Sequence, residues 1–212
     1  MPFRLQTRLP FWSADSRTFQ FFDPGRLIDN ELELIPPGSQ WIDAALAAAK
    51  HPTTVEQSPD LSEITRQQLS DFLSICPAGR QPGDSATGLS PCYHFWMHRR
   101  DTPDFPIAGS ISLRIGNSYD TVMYYGHLGY HVYPMSRGRR FAQRACRLLL
   151  PLAARHGLNP LWITCNPENA ASRRTCQLLG GKFVELVLVP MEHPLYQRGD
   201  KEKCRYRVDL PG

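Results

Sequence analysis

The chain has 212 residues, 42% of them hydrophobic and 21% charged, with a formal net charge of +4. That length suits one domain with a core of its own, and no apolar run approaches the roughly 20 residues of a membrane-spanning helix. Six cysteines (Cys76, Cys92, Cys146, Cys165, Cys176, Cys204) form no CxxC pair and have no histidine at zinc spacing, which speaks against a disulfide framework and a structural metal and for reduced thiols.

The opening MPFRLQTRLPFWSADSRTFQFF has an early arginine but no uninterrupted apolar core and no small-residue cleavage site. No secretory signal is expected, and the expected location is cytoplasmic. Residues 1–28 read as an aromatic-rich extension ahead of a single domain, 29–212. Glu31 to Ile35 is predicted to be a short strand, and Ser39 to Lys50 a helix with Ser39 as a candidate cap. Leu61 to Ile75 carries apolar residues at helical spacing. Pro77 to Pro91, rich in Pro, Gly and Ser, is expected to be a surface loop.

Beyond the loop the pattern turns to short strands. Tyr93 to His98 is followed by Ile107 to Ile115, where apolar and small polar residues alternate. In His127 to Tyr133, Leu128, Tyr130 and Val132 point one way and His127, Gly129, His131 and Tyr133 the other. The second face carries the chemistry candidates. Phe141 to His156 is predicted to be a helix that Pro151 kinks or breaks. Leu161 to Cys165 is a strand, Asn166 and Pro167 open a helix to Leu179, and Phe183 to Val189 and Cys204 to Leu210 are two further strands.

Arg137, Arg139, Arg140, Arg144 and Arg147 fall within eleven residues at the start of the predicted helix. A helix N-terminus is already positive and has free N–H groups, so arginines there are unfavourable unless a polyanion such as a pyrophosphate sits in front of them. A solvated basic face or a nucleic-acid patch is the other reading of the same residues.

The segment GHLGYHVYPMSRGRRFAQRACRLLLPLA resembles the acetyl-CoA-binding motif of the GNAT superfamily of N-acetyltransferases, a strand, an Arg/Gln-x-x-Gly-x-Gly/Ala turn and a helix. Arg137 and Ala142 match the ends of that turn, and Arg140 replaces its central glycine. LWITCNPENAASRRTCQLLGGKFV resembles the family's next strand and helix, with Asn169 and Ser172 at positions that approach pantetheine and phosphates, and the closing RYRVDL resembles the end of a branch of predicted acetyltransferases. The resemblance implies a mixed α/β fold, the GNAT fold. Its central twisted sheet is mostly antiparallel, of about six or seven strands, with a splayed parallel strand pair and about four flanking helices. It further implies acetyl-CoA as co-substrate, no metal, and a site for that co-substrate built from Val132, Tyr133, Arg137, Gly138, Arg139, Arg140, Phe141, Ala142, Asn169 and Ser172.

Transfer of an acetyl group to an amine needs a neutral amine, donors for the oxyanion and a proton for the thiolate. The resemblance makes the backbone near Val132 and Tyr133 the oxyanion donor. It makes His127, where many relatives carry a glutamate, the first candidate base. His131, about 7 Å further on the same face, is the second; an imidazole titrates near pH 6.5. Where the family often has an acidic tyrosine, seven residues after Asn169, this chain has Cys176. Glu192, His193 and Tyr196 either border the acceptor or belong to a polar hairpin. The aromatic arm (Phe3, Phe11, Trp12, Phe19, Phe21, Phe22) packs on the sheet, covers the acceptor cleft or makes a homodimer contact. The expectation is an N-acetyltransferase acting on a primary amine of a small molecule or peptide, with no membrane and no nucleic acid as partner. The alternative, prompted by Arg140 and Cys176, is a catalytically impaired acyl-CoA-binding regulatory module.

Overall fold

In the computed structural model, which describes residues 19–84 and 89–210, a short hairpin of β1 (Leu27–Ile28) and β2 (Leu32–Ile35) leads into the helical layer. That layer is α1 (Ile42–Lys50), α2 (Pro52–Gln57), α3 (Pro59–Ser62) and α4 (Arg66–Ile75). Ser39 caps nothing; it begins a single 3-10 turn ahead of α1. The expected helix from Leu61 is interrupted because Thr65 starts a new one. Its hydroxyl accepts from Gln68 N (3.2 Å) while Gln68 Oε1 accepts from Thr65 N (2.8 Å), a reciprocal cap that ends one helix and fixes the start of the next.

Within the expected surface loop, Arg80–Gln81 forms β3 against β4 (Cys92–Arg99). β5 (Ile107–Arg114) and β6 (Leu128–Val132) follow, separated by a π-helical turn at Thr121–Tyr125. The six strands pair antiparallel in the order β1-β2-β4-β5-β6, with β3 also on β4. Then come α5 (Phe141–Arg155), β7 (Leu161–Cys165), α6 (Ala170–Leu178), β8 (Lys182–Leu188), α7 (Pro194–Gln197) and β9 (Glu202–Val208). β7, β9 and β8 form a second, three-stranded antiparallel sheet.

The expected mostly antiparallel sheet with flanking helices is therefore present, divided in two between β6 and β7. The main core lies under α5, whose Phe141, Ala145, Leu149 and Leu152 are buried at helical spacing against Leu128, Ile111 and Met97 of the strands. α5 runs through Pro151 to Arg155 without breaking. Pro151 is exposed, as is Arg147 one turn earlier, so the carbonyl that proline deprives of a donor faces water. On the opposite face, α1 packs Ile42, Ala45 and Ala49 on Trp96, Ile107 and Tyr133.

Of the aromatic arm, Phe3, Phe11 and Trp12 lie outside the described residues. Phe21 stacks edge-on against Tyr93, and Phe19 and Phe22 pack on His156. The Tyr93 hydroxyl accepts from Phe22 N at 2.7 Å. No helix among the described residues is long and apolar enough to cross a membrane, and all six cysteines are free and buried.

Candidate active site

β6 and β7 are joined through α5 and meet at their starts, where His127 N donates to Trp162 O (2.7 Å). No ladder follows. The meeting point is closed by the His127 ring: Nδ1 accepts from Trp162 N (2.8 Å) and Nε2 lies 3.1 Å from Gly116 O, which requires the proton on Nε2. Burial pushes this imidazole down to about 4. With both nitrogens engaged and the side chain fully buried, His127 has no lone pair to offer a substrate, and its geometry is that of a clamp between strands, unlike the base expected at this position.

Antiparallel pairing makes alternate residues of β6 face β5. Arg114 N donates to His127 O and Tyr133 N to Ala108 O, both at 2.8 Å. Tyr133 N–H is thus consumed by the sheet and is not free for an oxyanion. The same alternation turns the N–H groups of Leu128, Tyr130 and Val132 toward the split. Gly109 lets β6 come this close, since a Cβ there would stand 2.1 Å from His131 O.

The split opens into a cleft of about 340 Å³ lined by Gly129, Tyr130, Thr164, Cys165, Asn169 and Ser172 among others. Asn169 caps α6, its Oδ1 accepting from Ser172 N (2.9 Å), and the Ser172 hydroxyl sits 2.9 Å from the Tyr130 hydroxyl across the cleft. Burial drives the Tyr130 phenol far above its ordinary range, so it stays protonated. Cys176 does not line the cleft. It is fully buried, and its thiol is directed at Cys165, which raises Cys176 and lowers Cys165. Tyr130 lay on the strand face that the sequence pattern assigned to packing. The signal that could have found it is the tyrosine's polar tip on an otherwise apolar face, aimed at the helix that Asn169 caps.

The turn before α5 presents free backbone donors in an open curve. Gly138 (φ 84°) and Arg140 (φ 57°, ψ 28°) both take left-handed conformations, so arginine occupies the backbone geometry in which the family motif has glycine, at a cost of about 1 kcal/mol. No side chain caps α5, and its first helical bond, Arg144 N to Arg140 O (3.0 Å), leaves the N–H groups of Phe141, Ala142 and Gln143 without helix partners. The Ser136 hydroxyl just before the turn is buried with no partner. Free amides, an orphaned hydroxyl and the unpaired edge of β6 together fit a pyrophosphate followed by an extended chain.

Not all of the arginines serve that site. Arg139 pairs with Glu31 and with Asp101 (2.8 Å), and Arg144 with Asp29 (2.6 Å) and Glu31. These guanidiniums and Arg99 surround the buried Phe141 ring. The Arg139 hydrogen bond holds Asp101 at about 2, and Arg144 likewise lowers Asp29. Phe141 can offer only its backbone. Arg137 ties β6 to the end of α2, its Nε donating to Val132 O (3.2 Å) and Nη2 to Ser58 Oγ (2.8 Å). The Arg140 side chain is exposed and makes no ion pair or hydrogen bond among the described residues.

His131, one residue past Tyr130, points to the other side of β6, into a larger cavity of about 440 Å³ between the sheet and α1, α3 and α4. Its Nδ1 is 3.1 Å from Ser110 Oγ, while Nε2 is buried with no partner. Burial, with the Arg137 charge in support, holds it at about 4. Glu192, His193 and Tyr196 do not line this cavity. His193 caps α7 through Leu195 N (3.1 Å) and packs on Tyr124. Among the described residues no three of His, Cys, Asp and Glu gather as metal donors.

Solved structures share this architecture. A chain from Vibrio cholerae, provisionally described as a ribosomal-protein-serine acetyltransferase, aligns at TM-score 0.61 and 19% identity over 90% of this chain and 100% of its own. RimL, a ribosomal L7/L12 alpha-N-protein acetyltransferase solved with coenzyme A, aligns at 0.59 and 15% over 87% and 98%. The microcin C7 self-immunity acetyltransferase MccE, solved with acetyl-CoA and AMP, aligns at 0.54 and 14% over 86% and 94%. At such identities they establish the fold alone. No curated protein sequence matches at a significant level. The family model for the acetyltransferase (GNAT) domain matches residues 31–182, a span that takes in the clamp, the split, the turn before α5 and both cavities' walls on β6, and the chain belongs to the GNAT acetyltransferase family.

Proposed function

We propose that the protein transfers an acetyl group from acetyl-CoA to a primary amine. The observation that carries this reading is the placement of Tyr130 and His131 on opposite faces of one strand, each at the wall of its own cavity. The turn from Arg137 to Ala142, with Gly138 and Arg140, receives the phosphates; Asn169 and Ser172 border the chain that follows. Bound there, acetyl-CoA supplies an activated acyl group. Val132 N–H, free of the sheet, supports the oxyanion. His131 Nε2 takes the proton the nitrogen gives up, and the Tyr130 hydroxyl, backed by Ser172, supplies one to the departing sulfur. Cys176 has no part in this scheme.

Two measurements test it together. Acetyl-CoA and CoA should each raise Tm, and thiol release from acetyl-CoA should depend on added amine. His131→Gln is expected to lower kcat by about 100-fold with the acetyl-CoA shift retained. Because His131 is neutral above pH 4 or so, kcat/KM should rise with pH along the amine's own ionisation, with no inflection near 6.5. Stabilisation by acetyl-CoA without release to any amine would instead favour a regulatory acyl-CoA-binding module; no stabilisation by either ligand would remove both.

A further inference from the structure

The cavity at His131 has a distinctive inner surface. Apart from strand backbone and Gln68, whose Oε1 is held by Thr65, its helical and aromatic walls are the side chains of Ile64, Leu69, Phe72, Trp96, Ile107 and Tyr133. Its polar side chains on the sheet are already spoken for: His94 Nε2 holds Gln81 Oε1 (2.8 Å), Ser112 donates to Gly129 O (3.3 Å) and Ser110 meets His131 Nδ1. The unpartnered buried atom is His131 Nε2. No lysine or arginine lines the space, and its charged groups are the carboxylates of Asp60 and Glu63 at the exposed end of α3, neither of which has an ion pair among the described residues.

Resting on the acetyl-transfer reading above, we propose that the acceptor is a small aralkyl or alkyl primary amine, drawn to the mouth as its ammonium by Asp60 and Glu63 and then seated with its apolar body in this cavity and its deprotonated nitrogen at His131 Nε2. A volume of about 440 Å³ lies toward the lower end of small-molecule pockets, roughly 300–1,000 Å³, and holds one ring system with a short tether. A second ammonium or a polar peptide carried past the rim would be buried without a partner, which is costly. An anion meets only carboxylates. The reaction balances as R–NH3⁺ plus the acetyl thioester giving the amide R–NH–acetyl, a free thiol and one proton. The N–C bond forms and the C–S bond breaks with its electron pair on sulfur. Both protons lost by nitrogen leave to solvent, the second through His131, while sulfur takes one from the Tyr130 hydroxyl, which solvent reprotonates, for a net release of one.

The test compares kcat/KM for 2-phenylethylamine and tryptamine with that for spermidine, free lysine and a serine-initiated tetrapeptide, using the full chain and acetyl-CoA. The aralkylamines should lead by tenfold or more. Asp60→Asn combined with Glu63→Gln should raise their KM about fivefold, with most of the change in KM rather than kcat, and should weaken the dependence of KM on ionic strength, as expected for exposed charges. Preference for spermidine or the peptide, or an unchanged KM in the double variant, overturns the inference. Saturation-transfer NMR separates this from failure of the transferase reading. Selective signals from 2-phenylethylamine, reduced in the double variant, uphold the cavity's selectivity even if no amine is acetylated; absence of such signals together with absence of transfer overturns it.

Discussion

At Arg140 two demands on one residue conflict. The turn needs a left-handed backbone, which glycine adopts freely and arginine does not. The side chain in return places an unpaired cation beside the free amides of α5. Arg140→Gly should therefore raise stability by about 1 kcal/mol, on the order of 2–4 °C in Tm for a chain of this size, while weakening acetyl-CoA binding in a salt-dependent way. Arg140→Ala removes the charge and keeps the strain, so it should lose affinity without gaining stability. Calorimetric unfolding and ligand titration of the two variants separate the effects. The sequence motif exposed this residue as the odd one out. It could not show that Arg139 and Arg144, its neighbours in the same basic run, are turned toward Asp101, Asp29 and Glu31, because those partners lie up to 115 residues away.

Among the elements, β6 to α6 was largely legible in the sequence because its signals are local, namely alternation in the strand and the Arg137 to Ala142 turn; α6, expected to open at Asn166 and Pro167, instead starts at Ala170, where the Asn169 side chain caps it. The break between α3 and α4 depended on one reciprocal cap at Thr65, which a periodicity count passes over. At His127 the limit of the sequence is of a different kind. Strand position alone cannot say whether an imidazole faces substrate or a neighbouring backbone, and here Trp162 N–H and Gly116 O close around it. His127→Ala should leave both groups buried and unsatisfied, a loss of about 2–4 kcal/mol in urea unfolding. The pH dependence of kcat in the surviving folded fraction should be that of the parent protein, which distinguishes a clamp from a base.

For the whole molecule, pH acts in two windows of opposite origin. His94, His127 and His131 are all held near 4 by burial. Their folded-state pKa values lie below the unfolded value of about 6.5, so the unfolded chain takes up protons the folded one refuses. Stability is full above pH 6.5 and falls as pH drops toward 4, by up to about 3 kcal/mol for each of the three histidines. Asp29 and Asp101 are lowered by arginine partners, so their contribution persists through that window and is lost below it, as pH falls from 3.8 toward 2. Thermal melts between pH 8 and 3 should show the first decline near 6.

β6 sorts its duties by parity. Within Leu128–Val132, Gly129 and His131 turn their N–H groups to β5 and the His131 side chain enters its cavity, whereas Leu128, Tyr130 and Val132 turn their N–H groups to the split and their side chains toward the core, from which the Tyr130 hydroxyl reaches the cleft. Insertion or deletion of one residue within Leu128–Val132 would exchange the two sets wholesale, taking His131 out of its cavity and Leu128 and Val132 out of the core. The strand can vary in residue type, but its count is fixed.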